Sequence, residues 1–342
     1  MLSKKLVFQT AMLIFIFQAF SFGQSISKTG TTAAKFLSVG VGPRANAMGG
    51  AYSAVVNDAS AMYWNPAGIG NVKSYQGIFT YTKLFADINL NYFGVVMPVE
   101  GLGNFGVSVT ALNYGDMEIT TELDPEGIGT TFSAGSYAFG VTYAKYITSD
   151  FVIGATVKYI RENIFNSSAD GFAVDIGTLF NTPFWGIKFA SSITNFGTKM
   201  QMSGDDLLVR YDQDPTTAGN NETVDANLAT DKFELPLRLQ IGISRDFQIA
   251  KGYNFLIDVD AVYPNDNKQW VNVGGELSLF DNLIALRAGY KTIFLVDSQE
   301  GLTLGFGINY RMNSSFGIQV DYAYQKFDYL DNNHSFGVII SF

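Results

Sequence analysis

From Tyr75 to the end of the chain, apolar and polar residues alternate along stretches of about ten residues. In "LTLGFGINYR" (302–311), one face is wholly apolar and the other is small or polar. The stretches "LRLQIGISRD" (237–246) and "FGIQVDYAYQ" (316–325) repeat the pattern. Such alternation is typical of β-strands with one face in an apolar environment, and strands of about ten residues cross a bilayer at a tilt. The pattern therefore predicts a transmembrane β-barrel.

Fourteen such strands are predicted, and an even number is expected of a closed single-chain bacterial barrel. They lie near 75–83, 90–98, 103–113, 135–147, 151–163, 170–181, 185–196, 235–247, 254–263, 268–280, 283–292, 301–312, 315–326 and 335–342. The predicted fold is all-β: a 14-stranded antiparallel transmembrane β-barrel over residues 75–342, with an N-terminal lumenal plug before it.

The connections between the predicted strands alternate in length. Every second one is short, as in "EGLG", "TSD", "NTPF", "FDN" and "MNS", and the longest of the others lie near 114–134 and 197–234. Short periplasmic turns alternating with long extracellular loops are typical of outer-membrane barrels. A secreted soluble barrel or sandwich is the alternative, but it would need water-compatible side chains outside and has no reason to sort its connections in this way.

The composition fits a chain with one face in lipid. Charged residues make up 15% of the chain, against about 25% in soluble domains, and 35 residues are glycine. The net charge of −9 argues against binding to nucleic acid, which needs a basic surface. With no cysteine, the chain has neither a disulfide framework nor a lipid-attachment site.

Residues 1–23 are predicted to be a secretory signal peptide. Lys4 and Lys5 precede the apolar run "LVFQTAMLIFIFQAF", and small residues lie just before Gln24. After it, no run approaches the roughly 18–20 apolar residues of a transmembrane helix. We therefore expect export to the outer membrane of a Gram-negative bacterium, with outer-membrane lipid around the barrel.

The C-terminal strand ends on an aromatic residue. In "SFGVIISF", Phe336, Val338, Ile340 and Phe342 share one face. A terminal aromatic resembles the signal by which outer-membrane proteins are recognised for assembly, so Phe342 is predicted to be an assembly signal read by the assembly machinery. Tyr and Phe also gather at the predicted strand ends, where aromatic girdles lie at the two membrane interfaces.

Charged residues fall on the strand face opposite the apolar one. A charge facing lipid at mid-depth would cost about 2–4 kcal/mol, so these side chains are predicted to face the lumen. They are Lys158, Asp175, Arg238, Asp246, Asp258, Asp260, Glu276, Arg287, Arg311 and Asp321. Many other inward positions are Gly or Ala, which leaves room inside the barrel. Two interpretations stay open: a polar conduit or ligand site, or a network that fills the lumen and holds a plug.

Residues 24–74 do not alternate and are rich in Ala, Gly and Ser, interrupted by turn-forming residues such as those of "NPAG". A compact segment of this kind, directly before the first strand, is predicted to fold back into the barrel as a plug, or hatch. Within it, Asp58 is expected to pair with an inward arginine such as Arg238 or Arg287.

The run "GVGPRANAMGGAYSAVVNDASAMYWNPAG" (40–68) resembles the opening of the PorV/PorQ family of outer-membrane proteins, which is itself similar to the long-chain fatty-acid transporter (FadL) type of barrel. The resemblance implies a fourteen-stranded barrel with an N-terminal hatch in its lumen. The hatch-motif residues that it implies are Arg44, Met48, Gly49, Gly50, Asp58, Tyr63, Trp64, Asn65 and Pro66.

The resemblance implies two alternative functions. PorV-type relatives belong to type IX secretion, where the barrel associates with a secretion translocon and accepts exported cargo. FadL-type relatives carry hydrophobic small molecules across the outer membrane as the hatch moves aside. We expect the first, an accessory or partner-binding barrel of a surface-export machine, because the Arg–Ala–x–x–Met–Gly–Gly form is common among PorV-like members. A FadL-like passive transporter is the alternative, and a closed barrel without a conduit is the third interpretation.

Catalysis and cofactor binding are not expected. The only imidazole, His334, falls in the last predicted loop beside Asp331 and Ser335, a setting typical of a solvated surface. Without Cys or a second His, a zinc site is nearly excluded. In the acidic loop 204–234, Asp212 and Asp214 offer oxygen ligands for Ca²⁺ but lack the spacing of an EF-hand. We therefore predict a non-enzymatic protein with no cofactor and no metal.

Overall fold

The computed structural model describes residues 29–214, 216, 217, 224–312 and 316–342; the predicted signal peptide, residues 1–23, lies outside them. The described residues include fourteen long antiparallel strands that form one continuous wall. In chain order these wall strands are β1 (Gln76–Lys83), β2 (Asn89–Val99), β3 (Gly103–Glu118), β4 (Thr131–Tyr146), β5 (Phe151–Ile164), β6 (Ser167–Asn181), β7 (Ile187–Gly197), β8 (Arg238–Ala250), β9 (Tyr253–Pro264), β10 (Trp270–Leu279), β11 (Ile284–Ile293), β12 (Glu300–Arg311), β13 (Gly317–Phe327) and β14 (Asn333–Ser341).

The wall closes on itself. Each strand pairs with its neighbours in the chain, and β14 pairs with β1 in the register Phe79 to Val338. At the end of this seam, the Phe342 amide donates to the Tyr75 carbonyl over 2.9 Å, and the two rings stack with centroids 5.9 Å apart. A closed ring has no unpaired sheet edge, which is what the bilayer interior demands. The predicted fourteen-stranded barrel is confirmed.

Several strand boundaries differ from the prediction by a few residues, and two of these differences shorten a connection. β3 continues past residue 113 to Glu118, across an irregularity in its pairing with β4. β5 and β6 stay paired as far as Ile164 and Ser167, so the connection 165–166 has only two residues where a longer loop was expected. The alternation in loop length is therefore carried mainly by the two longest connections, 119–130 and 198–237.

The two ends of the barrel are named by their connections. The turn end carries both the chain's C-terminus and the connections 100–102, 147–150, 182–186, 251–252, 280–283 and 312–316. The loop end carries 84–88, 119–130, 165–166, 198–237, 265–269, 294–299 and 328–332. Short turns face the periplasm in barrels of this kind, so the loop end is the extracellular one.

The described residues of the connection 198–237 form short strands of their own. Leu208–Tyr211 pairs with Val224–Asn227 as a small two-stranded sheet, and Met200–Gln201 pairs with Lys232–Phe233. Ser203–Gly204 adds to the loop end of β6. The connection is thereby attached to the wall at its base and presents a separate hairpin outside.

The outward face of the wall is apolar and exposed, whereas the inward face is buried and largely polar. Large exposed side chains on the outward face include Phe79, Phe93, Val157, Phe306 and Val338. Buried inward residues include Thr80, Thr156, Asp175, Gln240 and Asp321. Among the described residues, no helix is long and apolar enough to cross a bilayer.

The N-terminal segment, residues 29–74, consists of short elements. Its helices are α1 (Pro43–Ala47) and α2 (Ala61–Trp64), flanked by 3₁₀ turns at Lys35–Ser38 and Pro66–Asn71. Near its start, the Ala34 amide donates to Glu162 at the loop end of β5 over 2.9 Å. Near its end, Asn104 at the turn end of β3 donates to the carbonyls of Ile69 and Val72 over 2.6 and 2.7 Å. The segment thus runs along the inner wall from the loop end to the turn end.

Replacement of Val157, on the outward face near the middle of β5, by lysine is expected to destabilise the folded barrel by about 2–4 kcal/mol, because a charge would face hydrocarbon at mid-depth. The measurement is the free energy of unfolding in lipid vesicles. The control is Ile147→Lys at the turn end, which should cost only about 0–1 kcal/mol because it lies near the interface. Equal costs at the two positions would contradict the placement of the bilayer.

Candidate functional site in the barrel lumen

Inward-facing glycines bring the N-terminal segment into backbone contact with the wall. A Cβ on Gly154 of β5 would lie 2.4 Å from the carbonyl carbon of Pro66, and one on Gly177 of β6 would lie 1.9 Å from Asn65 Oδ1. Across the ring, a Cβ on Gly289 of β11 would lie 2.2 Å from the carbonyl carbon of Met48. These distances are too short for any side chain, so glycine is required for the segment to lie this close.

Arg44 of α1 is the centre of a largely buried ionic network. Its guanidinium binds both carboxylate oxygens of Glu276 on β10, at 2.8 and 2.9 Å. Arg287 of β11 donates to the same carboxylate and to Asp321 of β13, each over 2.6 Å. A bidentate arginine–carboxylate pair fixes both distance and orientation, so the network ties the segment to three wall strands.

Arg44 is also the partner of Asp58. The guanidinium Nη1 lies 3.6 Å from Asp58 Oδ2, and Tyr52 donates its hydroxyl to the same oxygen over 2.7 Å. The expected pairing of Asp58 with Arg238 or Arg287 is therefore wrong. Burial raises the pKa of the Tyr52 phenol well above its usual value, so this hydroxyl remains a donor.

A second anchor is Asp260 of β9, a buried carboxylate that accepts four hydrogen bonds. The amides of Tyr52 and Ser53 donate to it over 2.8 and 2.9 Å, and the Ser53 hydroxyl over 2.7 Å. Gln240 of β8 donates the fourth over 2.6 Å and also donates to the Gly50 carbonyl over 3.1 Å. The wall thus supplies the hydrogen-bond acceptor for the backbone amides of Tyr52 and Ser53.

The aromatic pair Tyr63 and Trp64 holds the segment together from within. Trp64 Nε1 donates to the Val41 carbonyl over 2.8 Å, and the Tyr63 hydroxyl lies 2.8 Å from the Val39 carbonyl. From the wall, the Arg238 guanidinium lies over both rings, 5.6 and 5.3 Å from their centroids. This arrangement is a cation–π contact in a buried site.

Asn65 and Pro66 form the turn that leads toward the first strand. The Asn65 side chain accepts from the Ala67 amide over 3.2 Å and donates to the carbonyls of Ser53 and Thr178, over 3.0 and 3.1 Å. It therefore caps the following 3₁₀ turn and binds β6 at the same time. Pro66 occupies the first position of that turn, where its missing N–H costs nothing.

Gly49 and Gly50 follow α1 with φ of +67° and +72°, a region that favours glycine. A Cβ on Gly49 would also lie only 2.9 Å from the Tyr290 nitrogen of β11. Met48, immediately before them, is fully buried. The two glycines thus let the chain reverse direction directly against the wall.

The remaining predicted lumenal charges divide into two groups. Lys158 pairs with Asp175 at 2.8 Å, and Asp175 accepts the Asn195 amide over 2.7 Å, beside a bulge between β6 and β7. Asp258 is fully buried opposite Ser244. Asp246 and Arg311, by contrast, line the mouth of a cavity and are exposed to it.

This cavity has a volume of about 690 Å³ and lies at the turn end. Its inner part is bounded by the Arg44, Glu276 and Arg287 network, and its mouth by Asn282 and Ser341. Buried apolar side chains of the wall and of the segment form one cluster that extends along the lumen as far as the loop end. Among its members are Phe36, Leu37, Tyr63, Leu84, Met200 and Leu235. The lumen of the described residues thus has a polar cavity open at the turn end, while packed apolar side chains fill it at the loop end.

Several residues that hold the segment were missed from the sequence. They are Gln240, Asn104, Glu162 and Asn46, all wall or segment side chains with polar contacts across long sequence separations. For Gln240 and Asn104, the signal available in the sequence was an amide side chain at an inward position of a predicted strand. His334, predicted in a loop, lies in β14 instead and bonds the Tyr322 hydroxyl through Nδ1 over 2.8 Å.

Metal-binding geometry is not found among the described residues, in which no group of three His, Asp or Glu side chains converges. Asp214 in the hairpin of 198–237 accepts from the Thr216 amide and hydroxyl, over 3.1 and 2.6 Å. The Thr216 and Thr217 hydroxyls lower the pKa of the Asp214 carboxyl. This carboxylate is engaged in a local turn of the loop.

A comparison with family models identifies the chain. The model for the type IX secretion system protein PorV matches residues 23–202, just over half of the sequence, including the whole N-terminal segment. The chain belongs to the PorV family. No curated protein sequence matches it at a significant level.

Solved structures with the same fold are outer-membrane channels. The monoaromatic hydrocarbon channel CymD is 14% identical, with a TM-score of 0.56 over 89% of this chain and 98% of that chain. The Pseudomonas putida toluene transporter TodX is 13% identical, with a TM-score of 0.55 over 88% and 97%. At such low identity the likeness shows the fold alone. Together with the PorV match it confirms a barrel of the Gram-negative outer membrane, in families of non-enzymatic barrels.

Removal of the Arg44 guanidinium is expected to destabilise the protein by about 3–5 kcal/mol, because Arg44→Met leaves buried carboxylates without their partner. Arg44→Lys should lose less, since it keeps the charge but not the bidentate geometry. The measurement is unfolding in detergent, with Lys199→Met as control. That lysine pairs with Glu234 over 3.4 Å at the surface, where a pair contributes about 0–1 kcal/mol. Equal losses for Arg44→Met and Lys199→Met would contradict the network's role.

Proposed function

We propose that this PorV-family barrel is an accessory, partner-binding component of the type IX secretion machine, and that residues 24–74 act as a plug that keeps its lumen closed. The family match carries the first part of the proposal. The second part rests on the buried contacts of the N-terminal segment with strands on opposite sides of the ring. In this proposal the barrel acts through its surfaces rather than through chemistry at a catalytic site.

The connection 198–237 is the surface that we propose for partner binding. Ser203–Gly204, just before its small sheet, pairs with the loop end of β6, so the connection is attached to the extracellular end of the wall. Leu208, Tyr211 and Leu228 of this connection are about half exposed, beside acidic residues such as Asp225. Exposed apolar side chains within a polar rim are typical of protein-interaction sites.

A FadL-like transport of hydrophobic molecules is less well supported. The cavity of about 690 Å³ is polar and opens at the turn end, whereas apolar side chains are packed together at the loop end, where a molecule from outside would enter. Residues such as Phe36 and Leu37 would have to leave this cluster to admit a ligand. The barrel's likeness to the hydrocarbon channels concerns the fold.

Native purification of the tagged protein in mild detergent is expected to recover secretion-system components at a fixed ratio. The double variant Leu208→Ser/Tyr211→Ser should reduce this recovery several-fold, because it removes apolar area from the proposed surface. The control is Leu123→Ser, which removes an exposed leucine from the separate connection 119–130. Recovery of the barrel alone from native membranes would contradict the partner-binding role.

Substitution of Gly177 by valine is expected to open the lumen, because the new side chain would displace Asn65 and with it the turn at Pro66. We expect higher single-channel conductance in planar bilayers than for the natural protein. Gly77→Val is the matched control, since nothing lies within 4 Å of a Cβ at this position. High conductance of the natural protein itself would contradict the plug. To show that the variants fold, unboiled samples should migrate on a gel differently from boiled ones, as those of the natural protein do.

A further inference from the structure

Three neighbouring strands carry an outward-facing cationic or imidazole side chain near their extracellular ends. Lys83 lies at the end of β1 and is the register partner of His334 on β14. His334 is in turn the partner of Tyr324 on β13, and Lys326 is the next outward residue of β13 beyond that tyrosine. Lys83 and His334 therefore lie side by side, and Lys326 lies one outward position further toward the loop end than the residue beside His334. We call Lys326, His334 and Lys83 the cationic row.

The height of the cationic row is set by the residues beneath it. Toward the bilayer centre, the next outward positions are Tyr324 on β13, Phe336 on β14 and Tyr81 on β1. Beyond them the same faces carry Tyr322, Val338 and Phe79. Tyrosines of this kind mark the membrane–water interface of a barrel. The row thus lies just outside the hydrocarbon, among the headgroups of the extracellular leaflet.

His334 is held in a fixed orientation within the row. Its Nδ1 is hydrogen-bonded to the Tyr322 hydroxyl at 2.8 Å, and its ring lies edge-to-face with Tyr324 at 5.7 Å. In the part of the chain that the structure describes, Nε2 has no hydrogen-bond partner. It is the ring nitrogen left to bind a group outside the protein.

Anionic side chains do not neutralise the row from the same face. Across the fully described strands β13, β14 and β1, no outward position is Asp or Glu. The nearest measured anion is Asp87 in the connection 84–88, at 3.6 Å from Lys83, with side-chain exposures of 94% and 56%. Such an exposed pair is weak and readily exchanged for another anion. Asp328 and Asp331 belong to the connection 328–332 and are not part of the wall.

We propose that the cationic row binds a phosphate group of a glycolipid headgroup in the extracellular leaflet. A phosphate carries up to two negative charges and several strong acceptor oxygens, and lysines bind it as point charges. The outward direction of the three side chains selects a lipid, because a soluble anion would have to compete with the headgroups already there. The proposal rests on the barrel's place in the outer membrane and does not depend on partner binding or on the plug.

The test uses the mature protein, delipidated in detergent and titrated with diphosphoryl lipid A, with bound lipid counted by native mass spectrometry. Each lysine near an anionic lipid surface contributes about a fivefold gain in binding. The double variant Lys83→Gln/Lys326→Gln should therefore bind this lipid roughly 25-fold more weakly. Adding His334→Gln should weaken binding further.

The matched control is Lys145→Gln, which removes an outward lysine of β4 at the turn end, whose ammonium lies 3.4 Å from the Gly101 carbonyl. Its lipid A binding should equal that of the natural protein. Dephosphorylated lipid A should bind as weakly to the natural protein as diphosphoryl lipid A binds to the double variant. Unchanged binding by the double variant, or equal binding of the two lipids, would overturn the proposal. If inorganic phosphate bound as tightly as the lipid, the ligand would be a free anion, and the proposal would also be overturned.

Discussion

Pairing of β1 with β14 is the constraint from which the rest of the structure follows. In hydrocarbon, each backbone amide and carbonyl needs a partner within the protein, and only ring closure supplies one to both terminal strands. Closure of fourteen strands leaves an interior too wide for the wall side chains alone to fill. Inward glycines widen it further where the N-terminal segment approaches most closely, through its backbone at Gly154 and Gly289 and through the Asn65 side chain at Gly177.

The segment and wall are held in register by polar contacts rather than by apolar packing alone. Buried charges are costly unless each is paired and hydrogen-bonded, and the network of Arg44, Glu276, Arg287 and Asp321 meets both conditions. Asp260 does the same for backbone amides of the segment. Such contacts are directional, so they fix one position of the segment. Apolar packing is not directional, so the apolar side chains at the loop end fill space without fixing that position.

The fold could be predicted from the sequence because the alternation of apolar and polar residues is a local pattern. Within each strand it shows which side chains face lipid. The same alternation identified Glu276 and Arg287 as inward. It carried no information about which side chains meet across the lumen, because Arg44 and Glu276 are 232 residues apart. That is why Asp58 was given the wrong partner, and why amides such as Gln240 and Asn104 were missed. The motif residues around Trp64 were found through family resemblance, since an irregular segment has no period to reveal it.

The span of the Arg44–Glu276 contact bears on how the barrel is made. The segment is synthesised before any wall strand, yet its partners lie on β6, β9, β10, β11 and β13, distributed over both halves of the ring. Contacts of such long sequence separation form late and slowly. The segment therefore cannot form its buried contacts until the last of these strands is in place. Formation of the segment's buried contacts and completion of the wall are consequently coupled steps.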